Sequence, residues 1–163
     1  MRAADSARVV QLCAARCAPF VAHKWPTHAL RLTQALAPIK NMKPTDAWIN
    51  DWSCGVDPHI EKSTAEDLLR LFSGFWCWAE LSEKSKKTQR RYSSSLHALG
   101  GYLVVEAGEG NKGKKSTYEF VQEKVDDEGG PLVYLDNEEW QNELDLVCRK
   151  LCRYFENNVQ RKV

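Results

Sequence analysis

Cations are concentrated at the start of one amphipathic segment of this 163-residue chain. Eight consecutive positions contain five of them, Lys84, Lys86, Lys87, Arg90 and Arg91. The last four fall in the first two turns of a predicted helix, where backbone N–H groups already favour phosphate. This arrangement can contact the backbone of duplex DNA, although reading its base sequence would require further groups. The alternative is an ordinary solvated helix face.

The charge of the chain is divided into blocks, although the net charge is only +1. Residues 82–115 carry a net +5, residues 116–146 a net −9, and residues 147–163 a net +4. If the acidic block covers the basic helix, Arg90 and Arg91 will be paired and phosphate contact is weakened. The competing interpretation is a protein-interaction module, in which the acidic segment 126–145 with Trp140 docks a basic partner.

One pattern of cysteine and histidine residues invites a test for zinc binding. Cys13, Cys17, His23 and His28 have outer spacings that suit zinc, but the central gap of five residues leaves no room for the hairpin of a zinc finger. Two prolines also interrupt the path, so we predict no metal site.

Catalytic constellations are sparse in this sequence. His59 follows Asp57-Pro58, and Asp126, Asp127 and Glu128 adjoin two glycines, but neither group supplies a nucleophile with a base and an orienting residue. The sequence favours a non-enzymatic protein and leaves catalysis open.

The glycine-rich run 108–115 matches a phosphate-binding P-loop only in part. Lys114 stands at the position of the P-loop lysine, but Lys115 occupies the place of the magnesium-binding Ser or Thr. No strand pattern surrounds the run. We therefore predict a mobile loop and no cofactor.

Two helices and a short turn must position the basic residues. Ser63 and Glu66 form the pattern of a capping box before a broad apolar stripe, which predicts a central helix contacted from more than one side. After the turn 81–85, Ser85 is the predicted cap of the basic helix. The pair Gly100–Gly101 within that helix indicates either a close helix crossing or a break.

This order of elements resembles the helical core-binding domain of tyrosine recombinases and phage integrases. The similar stretch is about 64–105, with Leu81-Ser82, Lys87-Thr88 and Tyr92 at the most similar positions. The resemblance implies a small helical domain that clasps duplex DNA, with Lys86, Lys87, Thr88 and Arg91 near the phosphates. It does not extend to strand exchange, because no histidine follows Val105 and no catalytic domain can be formed from what remains.

Further elements are predicted on both sides of this pair. Trp48 and Trp52 are spaced as one helical turn and should cap a core. Ser116 with Glu119 predicts a capped helix, residues 126–131 a turn, and residues 132–135 a lone strand or a segment lying over the core. Asp136 with Glu139 predicts the start of the last helix. Its buried side should contain Trp140, Leu144, Val147, Cys148, Leu151 and Phe155.

These patterns predict a mainly α fold, a single small helical domain of about six helices with an irregular connector and a glycine-rich loop. The domain is expected to span 42–163, after an N-terminal extension 1–41 that is peripheral, a targeting segment or an upstream start. Six cysteines without a convincing signal peptide indicate reduced thiols and a cytoplasmic protein. No apolar run reaches the length of a membrane span, so no membrane partner is expected.

Overall fold

A computed structural model describes residues 42–160, which form five α-helices and one short 3-10 helix, with no β-strand among them. The helices are α1 (Ala47–Trp52), α2 (Pro58–Trp78), α3 (Lys86–Gly108), α4 (Thr117–Lys124) and α5 (Glu138–Gln160), and the 3-10 helix is Leu81–Glu83. The prediction of a mainly α fold is confirmed. The extension 1–41, with its Cys13, Cys17, His23 and His28, lies outside the described residues.

Helix α2 begins earlier than the sequence predicted. Asp57 is its N-cap, because its side chain accepts a hydrogen bond from the Ile60 N–H at 3.1 Å, and Pro58 occupies the first turn. Proline fits there since the first N–H groups of a helix have no intrahelical partner. The predicted capping box of Ser63 and Glu66 is therefore wrong, and both residues lie inside the helix.

The broad apolar surface of α2 forms the centre of the core, as predicted. Leu68, Phe72, Phe75 and Trp76 are fully buried. The helix packs against α1, α3, α4 and α5, so its apolar residues are covered from several sides. Trp48 and Trp52 of α1 are buried in the same core and confirm their predicted place.

The turn between α2 and α3 is held by buried side chains. Glu80 adopts a left-handed backbone (φ 51°), and Leu81 is completely buried. The amide of Gln89 on α3 donates to the carbonyl oxygens of Ser82 at 3.0 Å and Lys84 at 2.8 Å. These contacts define the path of the chain just before the basic residues of α3.

A close helix crossing explains Gly100 in α3. A Cβ atom at this position would lie 2.2 Å from Cζ2 of Trp52, which no real contact allows. The indole N–H of Trp52 donates to the His97 carbonyl at 2.8 Å, one turn earlier on α3. The helix is continuous through this region, so the crossing and not a break is what the glycine permits.

The glycine-rich loop is anchored to the body of the protein. Gly110 and Gly113 have positive φ values of 89° and 58°, which glycine adopts without strain. Lys112 donates to Thr64 at 3.2 Å and to Thr117 at 2.9 Å. The capping box predicted at the start of α4, of Ser116 and Glu119, is confirmed.

Residues 126–137 lead into α5 without forming a strand. The Asp126 carboxylate accepts from the N–H groups of Glu128 and Gly129, which makes the predicted turn. Val133 and Tyr134 then pack against the core. Asn137, and not Asp136, caps α5 by accepting from the Trp140 N–H at 3.0 Å.

Helix α5 closes the core with a buried face of Leu144, Val147, Cys148, Leu151 and Phe155. Five of its six predicted core residues are thus confirmed. Trp140 is the exception, because 44% of its surface is exposed. It lies in the first turn of the helix, where its ring contacts that of Tyr134.

Candidate nucleic-acid interface

The start of α3 presents the predicted cations to solvent. Ser85 caps the helix by accepting from the Thr88 N–H at 3.2 Å, as predicted. Lys86, Lys87 and Arg90 are exposed and form no ion pair within the described part of the chain. Because successive residues of a helix are rotated by about 100°, these side chains share one outer arc.

Thr88 has a structural role in the same turn. Its hydroxyl lies 3.0 Å from the Ser85 hydroxyl, and its N–H is the donor that the cap satisfies. The side chain is half-buried. Of the predicted nucleic-acid-binding residues, Thr88 is therefore the one already engaged in capping.

Arg91 is the point at which the acidic block meets the basic helix. Its Nε lies 3.3 Å from a carboxylate oxygen of Glu143 on α5, and both side chains are partly exposed. The sequence left open whether Arg90 and Arg91 would be paired. Among the described residues Arg91 is paired and Arg90 is not, so neutralisation reaches one edge of the cluster only.

A second group of cations meets α3 from the C-terminal half of α5. A groove of about 230 Å³ is lined by Arg91, Tyr92, Leu146, Val147, Arg149, Lys150 and Arg153. The Lys150 ammonium lies 5.5 Å from the centre of the Tyr92 ring, within range of a cation–π contact. Residues more than fifty positions apart thereby form one surface.

The electrostatic state of Lys150 reflects this clustering. Burial lowers the pKa of Lys150, and the nearby charges of Lys84 and Arg153 lower it further, against an opposing effect of Glu80. Lys84 and Arg153 are themselves exposed. A surface on which like charges repel one another gains from a bound polyanion.

Sequence reasoning missed Arg149, Lys150 and Arg153 as partners of the basic helix. The signal that could have found them was the net +4 of residues 147–163. What remained hidden was the packing of α5 against α3, because that depends on tertiary contacts.

The other residues considered for chemistry have structural roles or stand apart. Asp57 caps α2, and Asp126 holds a turn. His59 and Lys114 are exposed, without a described pocket around them. In residues 42–160 there is no cluster of three or more His, Cys, Asp or Glu side chains that could hold a metal ion.

A buried carboxylate is the other feature that sequence reasoning missed. Glu61 is 1% exposed, and its oxygens accept hydrogen bonds from four consecutive backbone N–H groups, those of residues 54–57. Two side chains, Ser53 and Cys54, donate as well. The connector between α1 and α2 thus forms an anion-binding loop that the protein's own carboxylate fills.

The hydrogen bonds control the ionisation of this group. Burial alone raises the pKa of Glu61, but the donors of Gly55, Cys54 and Val56 outweigh that effect and lower it to about 2. The carboxylate is therefore charged at neutral pH and fastens the connector to α2.

Comparison with protein-family models, with curated proteins and with solved structures finds no match to this chain. Within residues 42–160, none of the helices combines the length and the apolar composition needed to cross a bilayer.

Proposed function

We propose that this protein binds nucleic acid, with duplex DNA as the first candidate, through phosphate contacts at the start of α3 and the adjoining half of α5. The observation that carries the proposal is the meeting of two basic segments. Arg91 of α3 lines one groove with Arg149, Lys150 and Arg153 of α5, and Lys84, just before α3, is close enough to lower the pKa of Lys150.

Phosphate binding is favoured here over base reading. Lysine and exposed arginine side chains neutralise phosphates without sequence information. The proposed mechanism is therefore non-catalytic, salt-dependent association with a polyanion. The resemblance of residues 64–105 to recombinase core-binding domains agrees with this proposal and stays a prediction.

Arg91 has a different role from its neighbours in this proposal. Its ion pair with Glu143 is partly exposed, and such pairs contribute little free energy. A phosphate can therefore compete for the guanidinium, but part of its charge is already neutralised. Arg90 and Lys87 should contribute more to binding than Arg91.

Fluorescence anisotropy of a labelled duplex, titrated with the protein at several salt concentrations, tests the proposal. We expect micromolar affinity at low salt and a slope of log K against log salt of about −0.9 per phosphate contacted. Lys87→Ala/Arg90→Ala should weaken binding and flatten this slope by about two contacts. Arg153→Ala should weaken binding in the same way from the other helix.

The matched control removes two exposed lysines elsewhere, Lys43→Ala/Lys62→Ala, and so changes the net charge equally. Binding reduced to the same extent by both double variants would show that only total charge matters and would contradict the proposed surface. Absence of binding at low salt would overturn the proposed function. A single strand or RNA bound more tightly than the duplex would redirect the proposal to that nucleic acid.

We also propose a cytoplasmic location. It is supported by the state of three cysteines, Cys77, Cys148 and Cys152, which are thiols in the structure. Cys148 is buried in the core, and burial together with Asp145 raises its pKa to about 12, which keeps it protonated and unreactive.

A further inference from the structure

Exposed apolar side chains are grouped at the beginning of α5 and in the segment before it. Of the six large apolar side chains that are exposed among the described residues, four belong to residues 132–146. They are Leu132 (63% exposed), Leu135 (66%), Trp140 (44%) and Leu146 (48%). Single exposed leucines are common on protein surfaces, but a group that includes a tryptophan marks an interaction site more often.

The backbone under these side chains is held in place by two residues of α5. The side-chain oxygen of Gln141 accepts from the N–H groups of Val133 and Tyr134 at 3.0 and 3.1 Å, and its amide donates to the Pro131 carbonyl. Asp145 accepts from the Gly130 N–H and from Gln141. The backbone of residues 130–134 is therefore hydrogen-bonded to α5. This holds in place the chain that leads into Leu135.

The ring contact between Tyr134 and Trp140 joins the segment to the helix. Their centroids are 5.5 Å apart in an edge-to-face arrangement, and Tyr134 also packs against the core. Leu132, Leu135 and Trp140 are exposed apolar side chains of this joined segment and helix start, and we call them together the Trp140 surface. Preformed surfaces lose little conformational entropy on binding.

Carboxylates surround the Trp140 surface. Asp136, Glu138 and Glu139 are exposed and form no ion pair within the part of the chain that the structure describes. Glu138, Glu139 and Glu143 also line a neighbouring cavity of about 400 Å³, together with Leu146. Residues 116–146 contain ten acidic residues and a single basic one. Arg91, which also lines this cavity and pairs with Glu143, offsets only part of this negative charge.

We propose that the Trp140 surface docks a basic amphipathic segment of a partner protein. The apolar side chains of this partner segment would cover Leu135 and Trp140. The lysines or arginines of the segment would pair with Glu138 and Glu139. Charge complementarity favours this occupant, because the carboxylates repel an acidic partner. A neutral apolar partner would remove water from Glu138 and Glu139 without supplying a cation, which costs free energy. The acidic cavity beside the Trp140 surface borders the proposed nucleic-acid interface at Arg91 and Leu146, which line both grooves, but the charge of the Trp140 surface is opposite.

A synthetic peptide tests this proposal directly. The probe is a fluorescein-labelled amphipathic helix of lysine and leucine, about four turns long. We expect micromolar binding by the full-length protein that weakens with salt, since exposed charges are screened. Trp140→Ala should reduce the affinity about tenfold or more, as truncation of a central interface tryptophan does. Glu138→Lys/Glu139→Lys should reduce it comparably.

Matched controls separate this surface from general stickiness. Ile60→Ala removes another exposed apolar side chain (40% exposed) on α2 and should leave binding unchanged. A peptide of the same composition in scrambled order, and one with glutamate in place of lysine, should bind at least about tenfold more weakly. Leu135→Ser provides a second variant whose side chain is even more exposed than Trp140, so that loss of folding does not confuse the result.

Three outcomes would overturn the proposal. The first is that Trp140→Ala and Leu135→Ser bind the peptide as tightly as Ile60→Ala does. The second is that the scrambled peptide binds as tightly as the amphipathic one. The third is sedimentation of the protein alone as a dimer that Trp140→Ala dissociates, since the occupant would then be a second copy of this chain. None of these outcomes depends on nucleic-acid binding, which Arg153→Ala and Lys87→Ala/Arg90→Ala test separately.

Discussion

At the scale of single residues, Glu61 is the ionisable group on which the fold depends most directly. A fully buried carboxylate is costly unless its oxygens are satisfied, and here six donors satisfy them. Sequence analysis had no means of finding this group, because Glu61 looks like any acidic residue in the first turn of a helix. Only the folded connector shows that its N–H groups converge on one point.

Glu61→Gln should destabilise the protein by about 3 kcal/mol at neutral pH, which corresponds to a pKa lowered from 4.5 to about 2. A lowered pKa in the folded state contributes stability that is present above the unfolded value and is lost as pH falls from 4.5 towards 2. The variant should therefore show a weaker pH dependence in that window. Urea unfolding at several pH values measures it.

Glu156→Gln is the control for this prediction, because it removes an exposed carboxylate of α5. It should change neither the stability at neutral pH nor the acid profile beyond a few tenths of a kcal/mol. A Glu61→Gln profile parallel to that of the unaltered protein between pH 4.5 and 2 would contradict the assigned role.

Gln89 is the second residue whose role depends on position. It is 6% exposed, and its amide satisfies two carbonyls of the turn that carries Lys84. Gln89→Met keeps most of the volume and leaves those carbonyls unpaired, which should cost about 1–3 kcal/mol. Gln122→Met, at an exposed position of α4, should be nearly neutral in the same thermal unfolding measurement. Equal effects of the two changes would refute the turn-clamping role.

At the scale of elements, helix ends were predictable where the signal was local. Ser85 and the pair Ser116–Glu119 cap their helices as their sequence patterns predicted. The predicted caps Ser63 and Asp136 were wrong, because Asp57 and Asn137 cap these helices instead. Capping depends on which candidate side chain meets the free N–H groups, and short sequence patterns often contain more than one candidate.

Gly100→Ala should destabilise the protein by about 2–3 kcal/mol, despite a gain in helix propensity, because its Cβ would overlap the Trp52 ring. Gly74→Ala in α2 is the matched control. Its Cβ would meet only the terminal hydroxyl of Tyr154, at 2.7 Å, and this group can move aside. Chemical denaturation should show a loss for Gly100→Ala and little change or a small gain for Gly74→Ala.

The outcome that would argue against the crossing is a similar effect of both alanines. A smaller side chain in place of Trp52 offers a further check. In the background Trp52→Leu, Gly100→Ala should cost less than in the unaltered protein, and the difference is their coupling free energy.

At the scale of the whole molecule, the described residues from 42 onward contain a core in which every helix takes part. Aromatic rings dominate that core, and Trp76, Phe72, Phe75 and Phe120 are its largest fully buried side chains. We therefore expect a chain of residues 42–163 to fold cooperatively. Circular dichroism with thermal unfolding should show a single transition, and a non-cooperative transition would contradict the predicted boundary at residue 42.

Much of the fold could be predicted because helical periodicity and burial are recorded locally in the sequence. The spacing of apolar residues in α2, α3 and α5 was sufficient to identify these helices and most of their buried faces. Trp140 was placed wrongly since its spacing fits the buried stripe, although the structure leaves 44% of its surface exposed in the first turn of α5. Periodicity describes one helix and contains no information about where its partner ends.

The order of residues was sufficient to predict the mainly α class, the central place of α2, and a basic helix start beside a strongly acidic block. Each of these follows from the composition and spacing of residues within one contiguous stretch of the chain. Tertiary structure decided that Arg91 meets Glu143 while Arg90 does not, that Lys84 lies near Lys150, and that Trp140 stays exposed. These facts depend on which helix faces come together, and such contacts join residues that are distant along the chain.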